Sequence, residues 1–355
     1  MKINFIVPEI SRTGGMRIIF EYANRFTERG HDVILYTPVI PFNNYKGEIK
    51  KYYLKYQFLY AKNIILNKKK LPDNIFLHNF KIEFLMFFNN FTVRDADATI
   101  ATSWTTSYVV DKLNLNKGKK FYLIQDYENW NSNEIFVDKS YTLPLNRITV
   151  SNYLKDLLLR KFNSDSVVIL NGIDFNLFKN PEKIYNDSPT ILFTDHILEN
   201  KNTLAAINTA IKIKEKYPNV RLKCFGHKQY HSLPEYISFT ANPDEKEIIK
   251  LYCESDIFLF TSKFEGFGLP PAEAMSCKCA LAGYKSGAVP IFAEHMTTAM
   301  LAESGNQDEL LKCVQYLLND LNELKRISEN GSEKIRKLLN WDDSVNLFEK
   351  LISEK

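Results

Sequence analysis

Asp256-Ile-Phe-Leu-Phe-Thr-Ser-Lys-Phe-Glu-Gly-Phe-Gly-Leu-Pro-Pro-Ala-Glu273 decides the reading of this chain. Asp256 to Phe260 is a short, apolar, turn-bounded run, as expected of a strand covered on both faces in a parallel sheet. Glu265 then falls just past the strand's carboxyl end. Gly266 and Gly268 let the backbone approach a ligand closely, and Pro270 and Pro271 suit the first turn of a helix, where a missing amide hydrogen costs nothing. A diphosphate held by free amides and the positive helix end would leave Glu273, one turn in, to accept hydrogen bonds from ribose hydroxyls. Taken alone, Glu273 reads as readily as a first-turn acid that favours the helix dipole without any ligand.

Working outward, strands and helices alternate, the pattern of doubly wound parallel sheets. Ile3 to Val7 reads as a strand, Gly14 and Gly15 as part of the loop after it, Met16 to Arg29 as a helix and His31 to Tyr36 as the next strand. Ala98 to Ala101, Lys120 to Ile124, Arg147 to Val150 and Val167 to Leu170 read as further strands, with a helix over Asn152 to Lys161. A second series starts at Thr190 to Phe193, with a helix over Asn202 to Lys216 and strands at Arg221 to Phe225 and Asp256 to Phe260. Phe178 to Pro189 is polar, contains proline and lacks periodicity, so the linker is expected there. The expected organisation is residues 1–178, residues 186–340 and a terminal helix over 341–355. Ligands on such sheets bind beyond the carboxyl ends of the strands, here in a central cleft that both glycine loops would face. The dinucleotide fingerprint G-x-G-x-x-G does not follow the first strand, which argues against a dehydrogenase.

The whole string Thr261-Ser-Lys-Phe-Glu-Gly-Phe-Gly-Leu-Pro-Pro-Ala-Glu-Ala-Met275 closely resembles the E-x7-E signature of retaining glycosyltransferases of family 4, which have the GT-B fold of two Rossmann-like domains. The resemblance covers most of the chain. Gly14-Gly15 before a helix, then Arg29-Gly-His-Asp-Val33, looks like the family's first βαβ unit; Val150-Ser-Asn-Tyr153 and Asn171-Gly-Ile-Asp174 match the segments before its linker. Lys201-Asn-Thr-Leu204 matches the basic residue opening the donor domain's first helix, and Asn340-Trp341 the start of its C-terminal helix. The resemblance implies a nucleotide-diphosphate sugar donor, transfer with retention of anomeric configuration and no metal or other cofactor. By position it assigns Lys201 to the diphosphate, Glu265 to the donor sugar, Glu273 to the ribose, Gly266, Phe267, Gly268 and Leu269 to the donor loop, and the Gly14-Gly15 backbone to phosphate or acceptor.

Departures from the family pattern matter as much. His196 stands where an arginine is usual, five residues before Lys201, and Asp195 where glycine is common. Arg12 or Arg17, beside Gly14-Gly15, is the alternative source of the missing cation. Where many members place a histidine near the sugar's C6 hydroxyl, this chain reads Gln125-Asp126-Tyr127-Glu128, a string resembling rhamnosyltransferases of cell-surface polysaccharides, whose 6-deoxy donor lacks that hydroxyl. Gln125 and Asp126 read equally as a strand-end turn. Lys278-Cys279-Ala280 replaces the usual Gly-x-Pro.

Other features narrow the classes. With 355 residues, 45% hydrophobic and 25% charged, the chain has the length for two cores and the composition of a folded protein. The N-terminus is interrupted too early for a secretory signal and no apolar run approaches a bilayer span, so a cytoplasmic location is expected. Five cysteines without framework spacing suit a reducing compartment, with Cys277 and Cys279 as small core residues. Asp95-Ala-Asp97 precedes a strand rather than following one, which argues against a metal-binding D-x-D, and the histidines show no ligand spacing. Eight lysines and one glutamate between residues 44 and 70 give that segment +7, leaving −3 for the rest of a chain of net charge +4. With its tyrosines it reads either as a surface for anionic lipid, at the inner face of the cell membrane, or as a solvated charge run. Nothing resembles a motif that reads nucleic acid.

The expected function is therefore transfer of a sugar from a dTDP, UDP or GDP sugar to a glycan or lipid-linked acceptor in cell-surface polysaccharide biosynthesis, with Glu265, Lys201, Gln125 and Asp126 at the chemistry. Two alternatives stand beside it: a GT-B sugar-nucleotide epimerase, and a non-catalytic sugar-nucleotide-binding subunit of a transferase complex.

Overall fold

A computed structural model describes residues 1–39, 76–128, 134–185 and 188–354. The basic segment 44–70 lies outside the described residues. The chain divides into two compact units, Met1–Leu170 with Asp342–Lys355, and Asn171–Trp341.

In the first unit the order is β1 (Lys2–Ile6), α1 (Gly14–Glu28), β2 (Asp32–Pro38), β3 (Lys81–Leu85), β4 (Ala98–Ala101), α2 (Trp104–Lys112), β5 (Lys119–Ile124), α3 (Glu134–Ser140), β6 (Asn146–Thr149), α4 (Asn152–Phe162) and β7 (Val167–Val168). The strands lie β3-β2-β1-β4-β5-β6-β7, every neighbouring pair parallel. The strand order therefore reverses between β1 and β4. Ile6, Tyr36, Ala101, Tyr122 and Ile124 sit in one buried cluster with Val110 of α2 and Leu158 of α4. Helix starts are set by side-chain caps: Thr13 accepts from the Met16 amide at 3.3 Å, and Ser103 forms a capping box with Thr106. Because Thr13 caps α1, Gly14 and Gly15 are the first two residues of the helix, not part of the preceding loop as expected.

The second unit runs β8 (Thr190–Thr194), α5 (Thr203–Lys216), β9 (Arg221–Gly226), β10 (Ile237–Ala241), α6 (Glu245–Cys253), β11 (Ile257–Phe260), α7 (Leu269–Ser276), β12 (Ala280–Tyr284), α8 (Val289–Phe292), β13 (Met300–Ala302), α9 (Gln307–Asn319) and α10 (Leu321–Leu338). Its sheet is also parallel throughout, in the order β10-β9-β8-β11-β12-β13, with the reversal between β8 and β11. Those two strands pair only through Ile257 with Ile191 and Phe258 with Leu192, so their ladder ends before either strand does. All four side chains of β11 are buried, as its apolar run requires.

A last helix, α11 (Trp341–Ser353), packs from Asp342 onward with the first unit. Phe348 meets the rings of Tyr22 and Phe26 edge-on, and the Arg29 Nη1 lies 2.8 Å from Glu349 Oε2.

The boundary between units falls at 170/171, ahead of the segment that composition marks as a linker. That segment is fastened to the second unit. Ser276 Oγ donates to Phe178 O at 2.6 Å, and Lys183 pairs with the buried Asp256 at 3.3 Å. A polar stretch can thus be well packed when its polar atoms find backbone partners.

Candidate functional site

The sequence-derived site residues fall into one group in each unit. In the second unit they surround the β8/β11 reversal, where loops leaving two diverging strands open a crevice in any doubly wound sheet. Lys201 ends a single 3₁₀ turn, Glu199–Lys201, which Asn202 closes in the left-handed conformation, φ 51°. Its ammonium lies 2.8 and 2.7 Å from the two carboxylate oxygens of Glu265, which comes from the loop after β11. The two loops are also joined by backbone: Lys263 donates to Asn200 O at 2.8 Å, and Thr261 Oγ1 to Lys201 O at 3.2 Å. The pair is held on both sides and still reaches solvent, with 23% of the Lys201 side chain and 12% of Glu265 exposed.

His196 lies on the same loop as Lys201. Its Nδ1 accepts the Leu198 amide at 3.0 Å, so that nitrogen carries no proton and a neutral ring offers Nε2–H. Burial, and after it the Lys201 ammonium, hold its pKa below the usual histidine value; Glu265 and Asp195 act in the opposite direction. His196 is therefore a neutral donor at pH 7, not a stand-in for a permanent cation. Asp195 has its own task. Fully buried, it accepts from the amides of Tyr230 and His231 at 2.6 and 3.1 Å and lies 2.6 Å from His231 Nδ1, fastening the loop after β9 to the loop after β8.

After Glu265, Gly268 turns the chain at φ 97° and α7 begins. Pro270 and Pro271 stand in the first turn as expected, and they carry no amide hydrogen. The donors that a helix start normally offers an anion are thus confined to the Gly266–Leu269 stretch. Phe267 is buried against Phe292, with ring centroids 5.8 Å apart, which fixes that stretch. Glu273, in the second turn, is buried, and Tyr252 of α6 donates its hydroxyl to Oε2 at 3.4 Å.

One residue of this group escaped the sequence reading. Gly287, in the loop after β12, has φ 58°, and a Cβ there would sit 2.2 Å from the Glu265 carbonyl oxygen and 3.1 Å from Glu265 Cβ. Only glycine lets this backbone pass over Glu265. The signal was present as glycine followed by proline, Ser286-Gly-Ala-Val-Pro290, directly after a strand.

In the first unit Gln125 and Asp126 follow β5. Gln125 Nε2 donates to Gly15 O at 3.0 Å, which ties the β5 end to the start of α1. Asp126 Oδ1 accepts the Tyr127 amide at 2.8 Å. Glu128, quoted in the string but not singled out, is the more unusual group. The Trp104 amide, in the first turn of α2, donates to its carboxylate at 3.3 Å, and its own amide donates to Tyr141 OH at 3.2 Å. Burial, and less strongly the nearby Asp126, push its pKa up to about 8 against the stabilising Trp104 amide. The side chain is mainly a neutral acid at pH 7. At the opposite end of the sheet Asp95 pairs with Lys117 at 2.7 Å and Asp97 accepts the Lys2 amide at 2.6 Å, so both have structural partners. Among the described residues no three potential metal ligands cluster, and no helix is long and apolar enough to cross a membrane.

Comparison with known proteins places this geometry. Residues 174–334 match the family Glycosyl transferases group 1. Over 126 residues the chain is 25% identical to the MMP α-(1→4)-mannosyltransferase of Mycolicibacterium hassiacum, covering 34% of this chain and 31% of that protein. Over 230 residues it is 25% identical to an uncharacterized glycosyltransferase of Methanocaldococcus jannaschii, covering 57% and 59%. The chain thus spans about a third to three fifths of the length of these relatives. Among solved structures, Anabaena HepE in complex with UDP and glucose superposes with a TM-score of 0.75 at 15% identity, covering 99% of each chain. The fold is GT-B. The residues named above lie around the β8/β11 reversal of one GT-B sheet and after β1 and β5 of the other, and the family match includes Lys201, Glu265 and Glu273 but begins beyond Gln125 and Glu128.

Proposed function

We propose that this chain is a retaining glycosyltransferase that takes a sugar from a nucleotide-diphosphate donor and gives it to a glycan or lipid-linked acceptor in cell-surface polysaccharide biosynthesis. The observation that supports this most is the Lys201–Glu265 pair at the β8/β11 reversal. In this reading Lys201, the Gly266–Leu269 amides and the neutral His196 N–H hold the diphosphate. Glu265 orients hydroxyls of the sugar, and Glu273 accepts from the ribose. As the bond between the anomeric carbon and the phosphate oxygen breaks, negative charge grows on the leaving diphosphate, and preorganised donors there lower the barrier. The acceptor oxygen bonds to the same face of that carbon, and its proton passes to the departing phosphate.

In this reading Gln125 and Asp126 face the donor sugar, which suits a 6-deoxy sugar such as rhamnose that lacks the C6 hydroxyl, and the Gly14–Gly15 backbone faces phosphate or acceptor. The UDP in the Anabaena complex makes UDP sugars the first donors to test, followed by dTDP and GDP sugars. On the same reading residues 44–70 rest on anionic lipid, and vesicle sedimentation at low and high salt tests this, since screening should release the protein.

The test of the assignment is a pair of variants. Glu273→Gln weakens donor binding, raising KM with little change in kcat, because a ribose contact persists through the reaction. Glu265→Gln mainly lowers kcat, because its sugar contacts change with the reaction. Equal effects of both variants on both constants would overturn the two roles. Product analysis by mass spectrometry and NMR, showing a glycosylated acceptor with the donor's anomeric configuration, checks the reaction itself.

A further inference from the structure

Lys201 has two anions to serve. A lysine ammonium carries three N–H donors, and that of Lys201 lies 2.8 and 2.7 Å from the two carboxylate oxygens of Glu265. With one donor on each oxygen, a single N–H is left for a diphosphate. The loops that carry the pair are tied to each other: Lys263 donates its amide to Asn200 O at 2.8 Å, Asn200 Nδ2 donates to Phe264 O at 3.2 Å, and Thr261 Oγ1 donates to Lys201 O at 3.2 Å. On its other side Glu265 is overlaid by Gly287, where a Cβ would sit 2.2 Å from the Glu265 carbonyl oxygen. With both backbones held, the pair forms and breaks by side-chain rotation. Both side chains keep some contact with solvent, so a ligand can reach them. From this arrangement we infer that Glu265 competes with the nucleotide for Lys201, and that the site thereby holds a complete sugar donor more tightly than the nucleoside diphosphate left after transfer.

This competition rests on the proposed function, which puts the diphosphate at Lys201 and the donor sugar at Glu265. The two ligands differ in what they offer the carboxylate. Hydroxyls of a donor sugar give hydrogen bonds to Glu265, which then needs the ammonium less, and Lys201 turns all three N–H groups to the diphosphate. A nucleoside diphosphate brings no hydroxyl to that place. Its phosphate must draw Lys201 away from Glu265 and leave a half-buried carboxylate without its partner, which costs free energy. A ligand shifts such an equilibrium only through its differential affinity for the two arrangements, and here the sugar hydroxyls supply the difference. Transfer removes the sugar, so the step that makes the product also returns Glu265 to Lys201 and favours departure of the diphosphate.

Calorimetric titration of UDP, dTDP and GDP into the full chain, Glu265→Gln, Lys201→Met and the double variant tests the competition. Glutamine keeps the size of Glu265 and a carbonyl that accepts from hydroxyls, but not the charge that binds the ammonium. With Lys201 present, Glu265→Gln should tighten the diphosphates that bind by about fivefold, the upper value for a partly exposed pair. In the Lys201→Met background the same change should alter affinity by no more than about twofold, the range within which independent effects add. No gain with Lys201 present, or an equal gain in both backgrounds, would overturn the inference, because Glu265 would then act on the diphosphate by repulsion alone.

A second comparison needs no Lys201 variant and so stands even where Lys201→Met binds too weakly to measure. UDP-glucose and UDP-N-acetylglucosamine are titrated beside UDP, without acceptor, into wild type and Glu265→Gln. Wild type should bind at least one of the sugar nucleotides more tightly than UDP, and Glu265→Gln should narrow that preference by tightening UDP. Equal tightening of UDP and the sugar nucleotides would contradict the competition and leave the functional reading standing. If neither wild type nor Glu265→Gln binds any of these nucleotides, the functional reading fails and the competition fails with it.

Discussion

The two reversal points of this molecule are built alike and dressed differently. After β8 and β11 the loops carry an ion pair, Lys201 with Glu265, crossed by the loop after β12 at a glycine, Gly287, whose position admits no side chain. In the first sheet, whose reversal lies between β1 and β4, the loops after β1 and the neighbouring β5 carry an amide on a helix start, Gln125 on Gly15, and a carboxyl group held largely neutral, Glu128. A charged, preorganised pocket suits a ligand that gains charge as it reacts, whereas neutral donors and acceptors suit hydroxyl-rich groups. The sequence makes both regions look like glycine loops. Their glycines do different work. Gly287 makes room for Glu265, while a Cβ on Gly15 would touch the Gln125 side chain only at an ordinary 3.5 Å.

That contrast breaks most readily at Gly287. Gly287→Ala must move the Glu265 backbone, and displacement of a reacting group by about 1 Å can cost about 100-fold, so kcat/KM should fall by that order while the folded state survives by circular dichroism. A variant with near wild-type turnover would show that Glu265 tolerates displacement. The next effect concerns stability. Because the folded pKa of Glu128 is raised to about 8, the native protein binds more protons than the unfolded chain from the ordinary carboxylate range up to that value. Its contribution makes stability fall as pH rises through this window and level off above it. Glu128→Gln removes the slope, so the variant should gain on wild type between pH 5 and 8 by roughly 2 kcal/mol, less than the full shift would give for a partly exposed group. Parallel denaturation curves at both pH values would mean that Glu128 is ionised throughout. The smallest effect is expected at Gly15. Gly15→Ala should raise stability by up to about 1 kcal/mol through helix propensity and change kcat/KM less than about threefold; a large loss of activity would mean that a ligand approaches this backbone as closely as Glu265 approaches Gly287.

Much of the interior of each sheet was legible in the sequence because most of its strands carry a short, turn-bounded apolar run. β4 appears over the predicted residues, Ala98 to Ala101, and β5, β8, β9 and β11 within a residue of the expected ends. The strands that escaped are those where the apolar signal is diluted. β3 and β10 are edges with half-exposed side chains, β13 has three residues, and β12 contains Gly283, needed because a Cβ there would lie 2.8 Å from Phe260 O. Within the stretch that composition marks as a linker, Lys183 looks like a surface charge and is buried against Asp256. At the site, Lys201 and Glu265 were readable as candidates, but their pairing was not, since they are 64 residues apart. His196 was readable as a departure, whereas the amide bond that leaves its ring neutral belongs to a turn that only the fold forms.

Calorimetric titration of UDP, dTDP and GDP into the wild-type protein and Lys201→Ala tests the central claim most directly, that the charged reversal point holds a nucleotide diphosphate. The account predicts saturable binding of at least one of the three by the wild type and a loss of about tenfold or more in Lys201→Ala, as expected when a partly buried charge-assisted contact worth about 1.5–3 kcal/mol is removed. Equal affinity in the two proteins, or no binding of any nucleotide by the wild type, would contradict it.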